Sequence, residues 1–352
     1  MMRFRDIAAV GILLGCYAMA EATELKHWPA PAAEALDRII AANADSGAYA
    51  VFDMDNTSYR HDLEEALIPF LEMKGVLTRE TMDPSLKLLP FKDVDGNKES
   101  LTNYAARLCA IDEKVCMPWA AQIVSGFSLK ELKGHVDELM AREEPIKTTY
   151  YGENDVVETI EIPPPRIFAG MTELYSRLME HGIEVYVVTA AHEELVRMIV
   201  SDPKYGYNVK PENVIGVSTL LENPATGELT TARKMIAEGT YDWKATMDYI
   251  VRPYLWTPGT WMEGKQAAIL AYIDQWRPAA LVAGDSPDSD GYMLLHGADT
   301  AKGGRIWVGR SEKSRKLLDE KWIAGNARQQ QALGQPVTAD KGWIFVTPEE
   351  IQ

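Results

Sequence analysis

Six short, mostly apolar runs constrain this chain more than any other feature. They occupy residues 48–52, 183–188, 214–217, 279–283, 305–308 and 343–346. The runs lack helical period and favour branched or aromatic residues, which is the pattern of buried strands. Helical patterns separate them. Strands alternating with helices predict an α/β fold with a parallel sheet, and such sheets bind ligands beyond the carboxyl ends of their strands. Candidate chemistry is therefore sought just after each run.

The first run leads into Asp53-Met54-Asp55-Asn56-Thr57. Residues two apart on a strand point to the same side. At a strand end, two carboxylates can thus face one cavity, or one side chain and a neighbouring carbonyl can. Such a group repels itself unless a cation lies within it, and magnesium prefers oxygen ligands. One carboxylate can attack phosphorus and the other can move a proton. The same five residues also suit an ordinary turn or helix cap. A calcium loop fits poorly, because Ser58 stands where its glycine is needed.

Further candidates follow three later segments. After 183–188 come Thr189-Ala190-Ala191, and a helix expected from His192 to about Val200. A hydroxyl beside helix N–H groups can hold phosphate oxygens. His192 and His61 read as hydrogen-bonding side chains rather than metal ligands. Gly264-Lys265-Gln266 opens a helix expected to reach about Trp276, where Lys265 adds its charge to the positive helix end. After 279–283 come Gly284-Asp285-Ser286-Pro287-Asp288-Ser289-Asp290. Asp288 or Asp290 can cap the next helix, but Asp285 has no structural reason to be there.

Residues 63–163 differ in character. Helical patterns at 63–74, 100–108, 119–125 and 128–142 predict a mainly helical insertion over the site, with the core formed by 23–62 and 164–352. Its aromatics include Tyr104, Trp119, Tyr150 and Tyr151. Most should pack in the core, but aromatic faces, with Tyr59, could also hold a quaternary ammonium by cation–π attraction. A leader helix is expected at 32–44, and a hairpin after 220 around Asn223-Pro224 and Thr226-Gly227.

A formal charge of −16 excludes general nucleic-acid binding and favours substrates that also carry positive charge. Residues 1–22 read as a signal peptide: Arg3 and Arg5 precede an apolar run too short to span a membrane. The expected location is periplasmic or secreted, with lipid anchoring through Cys16 the lesser alternative. Cys109 and Cys116 then remain, either as buried thiols or, as export favours, as a disulfide. On one continuous helix they would lie about 10 Å apart, so a bond needs a helix end between them.

Taken together, the four strand-end groups resemble the haloacid dehalogenase-like phosphatase superfamily. Asp53-Met54-Asp55-Asn56-Thr57 matches its D-x-D-x-T motif, Thr189 its hydroxyl motif, Lys265 its lysine, and Gly284-Asp285 its acidic loop, with Asp290 as the second acid and Asp288 additional. The resemblance covers about 48–60 and 165–346. It implies a Rossmann-like parallel core with a cap between the first and second motifs, and hydrolysis of phosphate monoesters. It implies Asp53 as nucleophile and Asp55 as general acid and base. Thr189 and Lys265 would hold the phosphoryl group. Mg2+ would sit on Asp53, the Asp55 carbonyl and Asp285, with Asp288 and Asp290 supporting. The expected partner is a small phosphate ester, with a quaternary ammonium group or, alternatively, one such as phosphorylethanolamine or phosphoserine.

Two rivals belong to other classes. Gly259-Thr260-Trp261-Met262-Glu263-Gly264-Lys265 has P-loop spacing, but Gln266 replaces the required Ser or Thr and no clean buried strand precedes it. A non-catalytic exported binder of choline-like cations would gain nothing from a nucleophile beside an acid.

Overall fold

The computed structural model describes residues 23–352; the expected signal peptide and Cys16 lie outside them. In chain order the elements are α1 (Ala30–Asn43), β1 (Tyr49–Phe52), β2 (Tyr59–Arg60), α2 (Leu63–Met73), α3 (Leu101–Cys109), α4 (Glu113–Gln122), α5 (Leu129–Met140), β3 (Ile146–Tyr151), β4 (Val157–Ile162), β5 (Arg166–Ile167) and α6 (Ala169–Glu180). There follow β6 (Glu184–His192), α7 (Glu193–Val200), β7 (Val214–Glu222), β8 (Leu229–Thr230), α8 (Ala232–Ala237), β9 (Ile250–Trp256), α9 (Glu263–Tyr272), β10 (Leu281–Gly284), α10 (Pro287–His296), β11 (Gly304–Val308), α11 (Glu312–Leu317), α12 (Ala324–Ala332) and β12 (Trp343–Val346).

All six expected runs enter one sheet, in the order β12-β11-β10-β1-β6-β7-β8, with β9 also paired to β7. The pairings from β12 to β7 are parallel, and only β8 and β9 run antiparallel. Side chains alternate between two covered faces. Ala50 and Phe52 enter one core cluster, and Tyr49 and Val51 the other. That explains why β1 reads as a continuous apolar run. The chain runs from β1 to β6 and β7, then crosses back to β10 on the other side of β1. The crossover makes the carboxyl ends of β1 and β10 a topological switch point, where open α/β sheets leave a crevice.

Helix α6 ends at Glu180, with Gly182 at φ 67° just past its cap. The hairpin is present as β7 and β8. Several limits shift. Helix α4 begins at Glu113, not 119, because Asp112 caps it by accepting the Lys114 N–H at 2.8 Å and Pro118 lies inside. Helix α9 stops at Tyr272. The inserted segment is not wholly helical: β3 and β4 pair antiparallel, as the Thr-Thr-Tyr-Tyr stretch of β3 favours. Short strands β2 and β5 pair where the chain enters and leaves that segment.

The cysteines are bridged. Cys109 ends α3 and Cys116 lies in the second turn of α4, so the turn between the helices brings their Cα atoms to 4.9 Å. No helix among the described residues is long and apolar enough to cross a membrane.

Candidate active site

The register places the chemistry. Phe52 pairs with Ala283, and the Asp53 N–H donates to the Ala283 carbonyl at 3.1 Å. Asp53 and Asp285 therefore emerge side by side. After Asp55 the backbone turns sharply, with Asn56 at φ 59°, a conformation Asn tolerates. The Met54 carbonyl accepts the Thr57 and Ser58 N–H groups at 3.1 and 2.8 Å. This turn aims the Thr57 hydroxyl at Asp285 Oδ1, 3.0 Å away.

Lys265 is brought to the same point from the first turn of α9. Its buried ammonium lies 2.6 Å from Asp53 Oδ1 and 2.6 Å from Asp290 Oδ1. Asp290 Oδ2 accepts the Asp285 and Ser286 N–H groups, each at 2.9 Å. Asp290 thus ties the lysine to the β10 loop. A Cβ at Gly284 would lie 2.7 Å from the Asp290 carboxylate, so only glycine permits that approach. Burial, then the charge of Asp290, raises the Asp53 carboxyl to about 6 against the pull of Lys265.

Asp53, Asp285 and Asp290 offer carboxylate oxygens within 4.8 Å of one another. The lone pairs of Asp290 are committed to Lys265 and two N–H groups. Asp53 and Asp285 are better placed for a cation. Arg310 Nε lies 2.6 Å from Asp285 Oδ2, but the approach is not aligned for a hydrogen bond, and that oxygen is buried without a donor. A carboxylate oxygen that has an ion-pair contact but no hydrogen-bond donor, beside a second carboxylate, fits a divalent cation.

Asp55 stands apart from this cluster. Its Oδ1 accepts the Tyr59 hydroxyl at 2.7 Å and the Leu63 N–H at 2.8 Å. Burial and then Asp62 hold its carboxyl well above the usual range, favouring the protonated form. Tyr59 is fully buried, so it holds Asp55 and cannot touch a substrate.

The remaining expected residues divide. Thr189 is buried at the end of β6 beside β1, its Oγ1 accepting the Ala191 N–H at 3.2 Å and its carbonyl held by Thr260 Oγ1 at 2.6 Å. Strand β6 runs on to His192, with a register shift after Val188, so Thr189 sits in an irregular strand end rather than a loop. The expected anion site at the next helix is filled internally. Glu64 accepts the His192 N–H at 2.7 Å, and His192 Nδ1 caps Glu194 N at 3.2 Å. Neither Asp288 nor Asp290 caps α10; Ser286 does. Asp288 is half exposed, paired with Lys321 at 2.9 Å and outside the acidic cluster. The P-loop spacing carries no phosphate cradle after a parallel strand: the antiparallel β9 precedes it, and Lys265 points at Asp53.

A cavity of about 610 Å3 opens beside Asp55, lined by Asp62, Glu64, Glu65, Glu113, Met117 and Tyr150 among others. Asp53 is not on its wall. Tyr104 and Trp119 are core residues, and Tyr150 is the one expected aromatic that lines it. The four carboxylates were not legible as a site. Glu64-Glu65 reads as the acidic first turn of a helix, and only the fold turns it inward. A groove of equal volume beyond β11 and β12 shares Arg310 with the site but holds none of the strand-end motif residues.

No protein-family model matches the chain. A solved structure of a functionally unknown protein from Anaerococcus prevotii aligns with a TM-score of 0.54 at 19% identity, over 88% of this chain and 91% of that one, and shares the fold. One of unknown function from Bordetella pertussis gives a TM-score of 0.48 at 12% identity, over 78% and 95%. A curated phosphatase from Pseudomonas aeruginosa is 62% identical over 349 residues, 99% of each chain. With that relative, the buried Asp–Lys–Asp centre at the sheet's switch point defines a phosphomonoester hydrolase. The relative is phosphorylcholine phosphatase, and this chain belongs to its family.

Proposed function

We propose that this chain is a magnesium-dependent phosphatase of the haloacid dehalogenase type that hydrolyses phosphorylcholine to choline and phosphate. The observation that carries the reading is the pairing of a buried, lysine-held Asp53 with a carboxylate-lined cavity next to Asp55. A phosphate monoester with a cationic tail matches both ends. Asp62, Glu65, Glu113 and the Tyr150 ring would receive the trimethylammonium group, whose bulk suits a wide cavity better than a small polar slot.

In the first step Asp53 attacks phosphorus, and the bond to the choline oxygen breaks as Asp55 gives that oxygen its proton. In the second, Asp55 takes a proton from water, the water oxygen bonds phosphorus, and the Asp53–phosphorus bond breaks. Lys265 and the Thr189 hydroxyl would hold phosphoryl oxygens throughout. Asp53, Asp285 and the Asp55 carbonyl would hold Mg2+, which supplies positive charge to the phosphoryl oxygens. Residues 63–163 would serve as the cap, since α2 presents its first N–H to Asp55. Export behind a leader at 1–22 suits the disulfide, which needs an oxidising compartment.

The test is phosphate release from phosphorylcholine with and without Mg2+, beside Asp53→Asn, with phosphorylethanolamine and phosphoserine in parallel. Metal-dependent turnover of phosphorylcholine that vanishes in the variant supports the reading. Turnover of the other esters alone removes the choline assignment. No turnover by folded protein removes the enzyme mechanism.

A further inference from the structure

We infer that Tyr59 is a positioning residue for proton donation, fixing which oxygen of Asp55 faces the leaving group. The inference rests on the reading of Asp55 as general acid and deepens it. The Tyr59 hydroxyl makes one hydrogen bond among the described residues, to Asp55 Oδ1 at 2.7 Å. The Leu63 N–H reaches the same oxygen at 2.8 Å. Two donors on one oxygen oblige it to remain an acceptor, so a proton on this carboxyl resides on Oδ2. Asp55 also lines the 610 Å3 cavity. The proton is thereby set on the oxygen with no donor of its own.

The two supports come from different elements, β2 and α2. Leu63 N is the first free N–H of α2, at the start of the inserted segment. Tyr59 lies in β2, pinned by its pairing with Ile167 of β5, and is fully buried. A backbone donor that moves with α2 cannot by itself hold Asp55 if that helix shifts. A buried hydroxyl held by the β2–β5 pairing can. Phenylalanine would fill the same space but leave Asp55 free to rotate about its terminal bond.

Proton donation matters in proportion to how poor the leaving group is. Choline departs as an alkoxide unless it is protonated. The 4-nitrophenolate ion departs readily without help. The value of kcat/KM reports events up to cleavage of the ester bond, which is the step that needs the proton. The experiment therefore compares kcat/KM for phosphorylcholine and 4-nitrophenyl phosphate in wild type, Tyr59→Phe and Asp55→Asn, all with Mg2+. Tyr59→Phe is expected to lose about tenfold more on phosphorylcholine than on the aryl ester, and Asp55→Asn about a hundredfold more. A purely structural role for Tyr59 would lower both esters alike.

Equal losses in Tyr59→Phe, beside a selective loss in Asp55→Asn, would overturn the inference and leave the enzyme reading intact. Equal losses in Asp55→Asn would remove the acid role and the inference with it. If Tyr59→Phe does not fold, 3-fluorotyrosine in place of Tyr59 keeps the ring and strengthens the donor. The ratio of the two esters should then move by about twofold or more; an unchanged ratio overturns the inference.

Discussion

Lys265 Nζ and Asp290 Oδ1 lie 2.6 Å apart with both side chains buried, and Asp53 Oδ1 lies 2.6 Å from the same ammonium, so removing Asp290 leaves one buried lysine to a single carboxylate. Breaking a buried pair from one side costs about 3–5 kcal/mol. Asp290→Ala also leaves the Asp285 and Ser286 N–H groups without their acceptor. Urea unfolding should show a loss in that range, and kcat should fall about a hundredfold as Lys265 and the β10 loop lose alignment. A variant as stable as wild type would show that Asp290 is not the anchor of this site.

Metal binding should be visible as stability. Magnesium at a hundred times its dissociation constant should stabilise the native protein by about 2.7 kcal/mol, and Asp285→Asn should abolish that gain. Arg310 competes for the same carboxylate, with Nε 2.6 Å from Oδ2. Arg310→Gln should therefore bind Mg2+ several-fold more tightly by calorimetry. Weaker binding in that variant would make Arg310 a support of the site rather than a competitor.

The sheet and its strand-end residues were legible because a parallel sheet writes itself as apolar runs, and its ligands follow those runs. Asp53, Asp285, Lys265 and Asp290 converge as their sequence positions imply. What stayed hidden depends on which way a helix faces. Glu64 and Glu65 carry no mark that the first turn of α2 lines a cavity, and Arg310 is one arginine after a strand. Tyr59 reads in the sequence as one more aromatic for a cation, and its burial beside the strand pairing with Ile167 is visible only in the fold. Pro118 concealed the start of α4, since a proline inside a helix reads as its boundary.

The buried His192 should make stability fall in mild acid. Burial lowers its pKa to about 4, while an unfolded histidine titrates near 6.5. Its Nδ1 accepts from Glu194 N, leaving Nε2–H to donate to Thr219 Oγ1 at 2.9 Å. Between these pKa values the unfolded chain binds the extra proton. Stability is therefore full above pH 6.5 and declines as pH falls toward 4, by about 3 kcal/mol from this group. Glu64, raised to about 8 by burial, works in the opposite direction as pH rises from its ordinary value. The comparison must therefore be with His192→Gln. The stability gap between wild type and that variant should narrow by about 3 kcal/mol from pH 7 to pH 4 in urea titrations. A constant gap would mean that His192 is protonated in the fold.

The disulfide should act on substrate binding more than on chemistry. Cys109 and Cys116 both line the cavity beside Asp55, and Met117 follows the second cysteine on the same wall. The bridge clamps the end of α3 to α4 across a short turn. Neither cysteine approaches the Asp53–Lys265–Asp290 centre through any hydrogen bond or ion pair among the described residues. Closing so short a loop is worth about 2.5 kcal/mol in the chain-entropy account. The double variant Cys109→Ser, Cys116→Ser should lose stability of that order. With the wall loosened, uniform binding weakens. KM for phosphorylcholine should then rise about threefold while kcat holds within error, measured at a temperature where the variant is fully folded. A fall in kcat at unchanged KM would mean that the bridge supports the catalytic centre instead of the cavity wall.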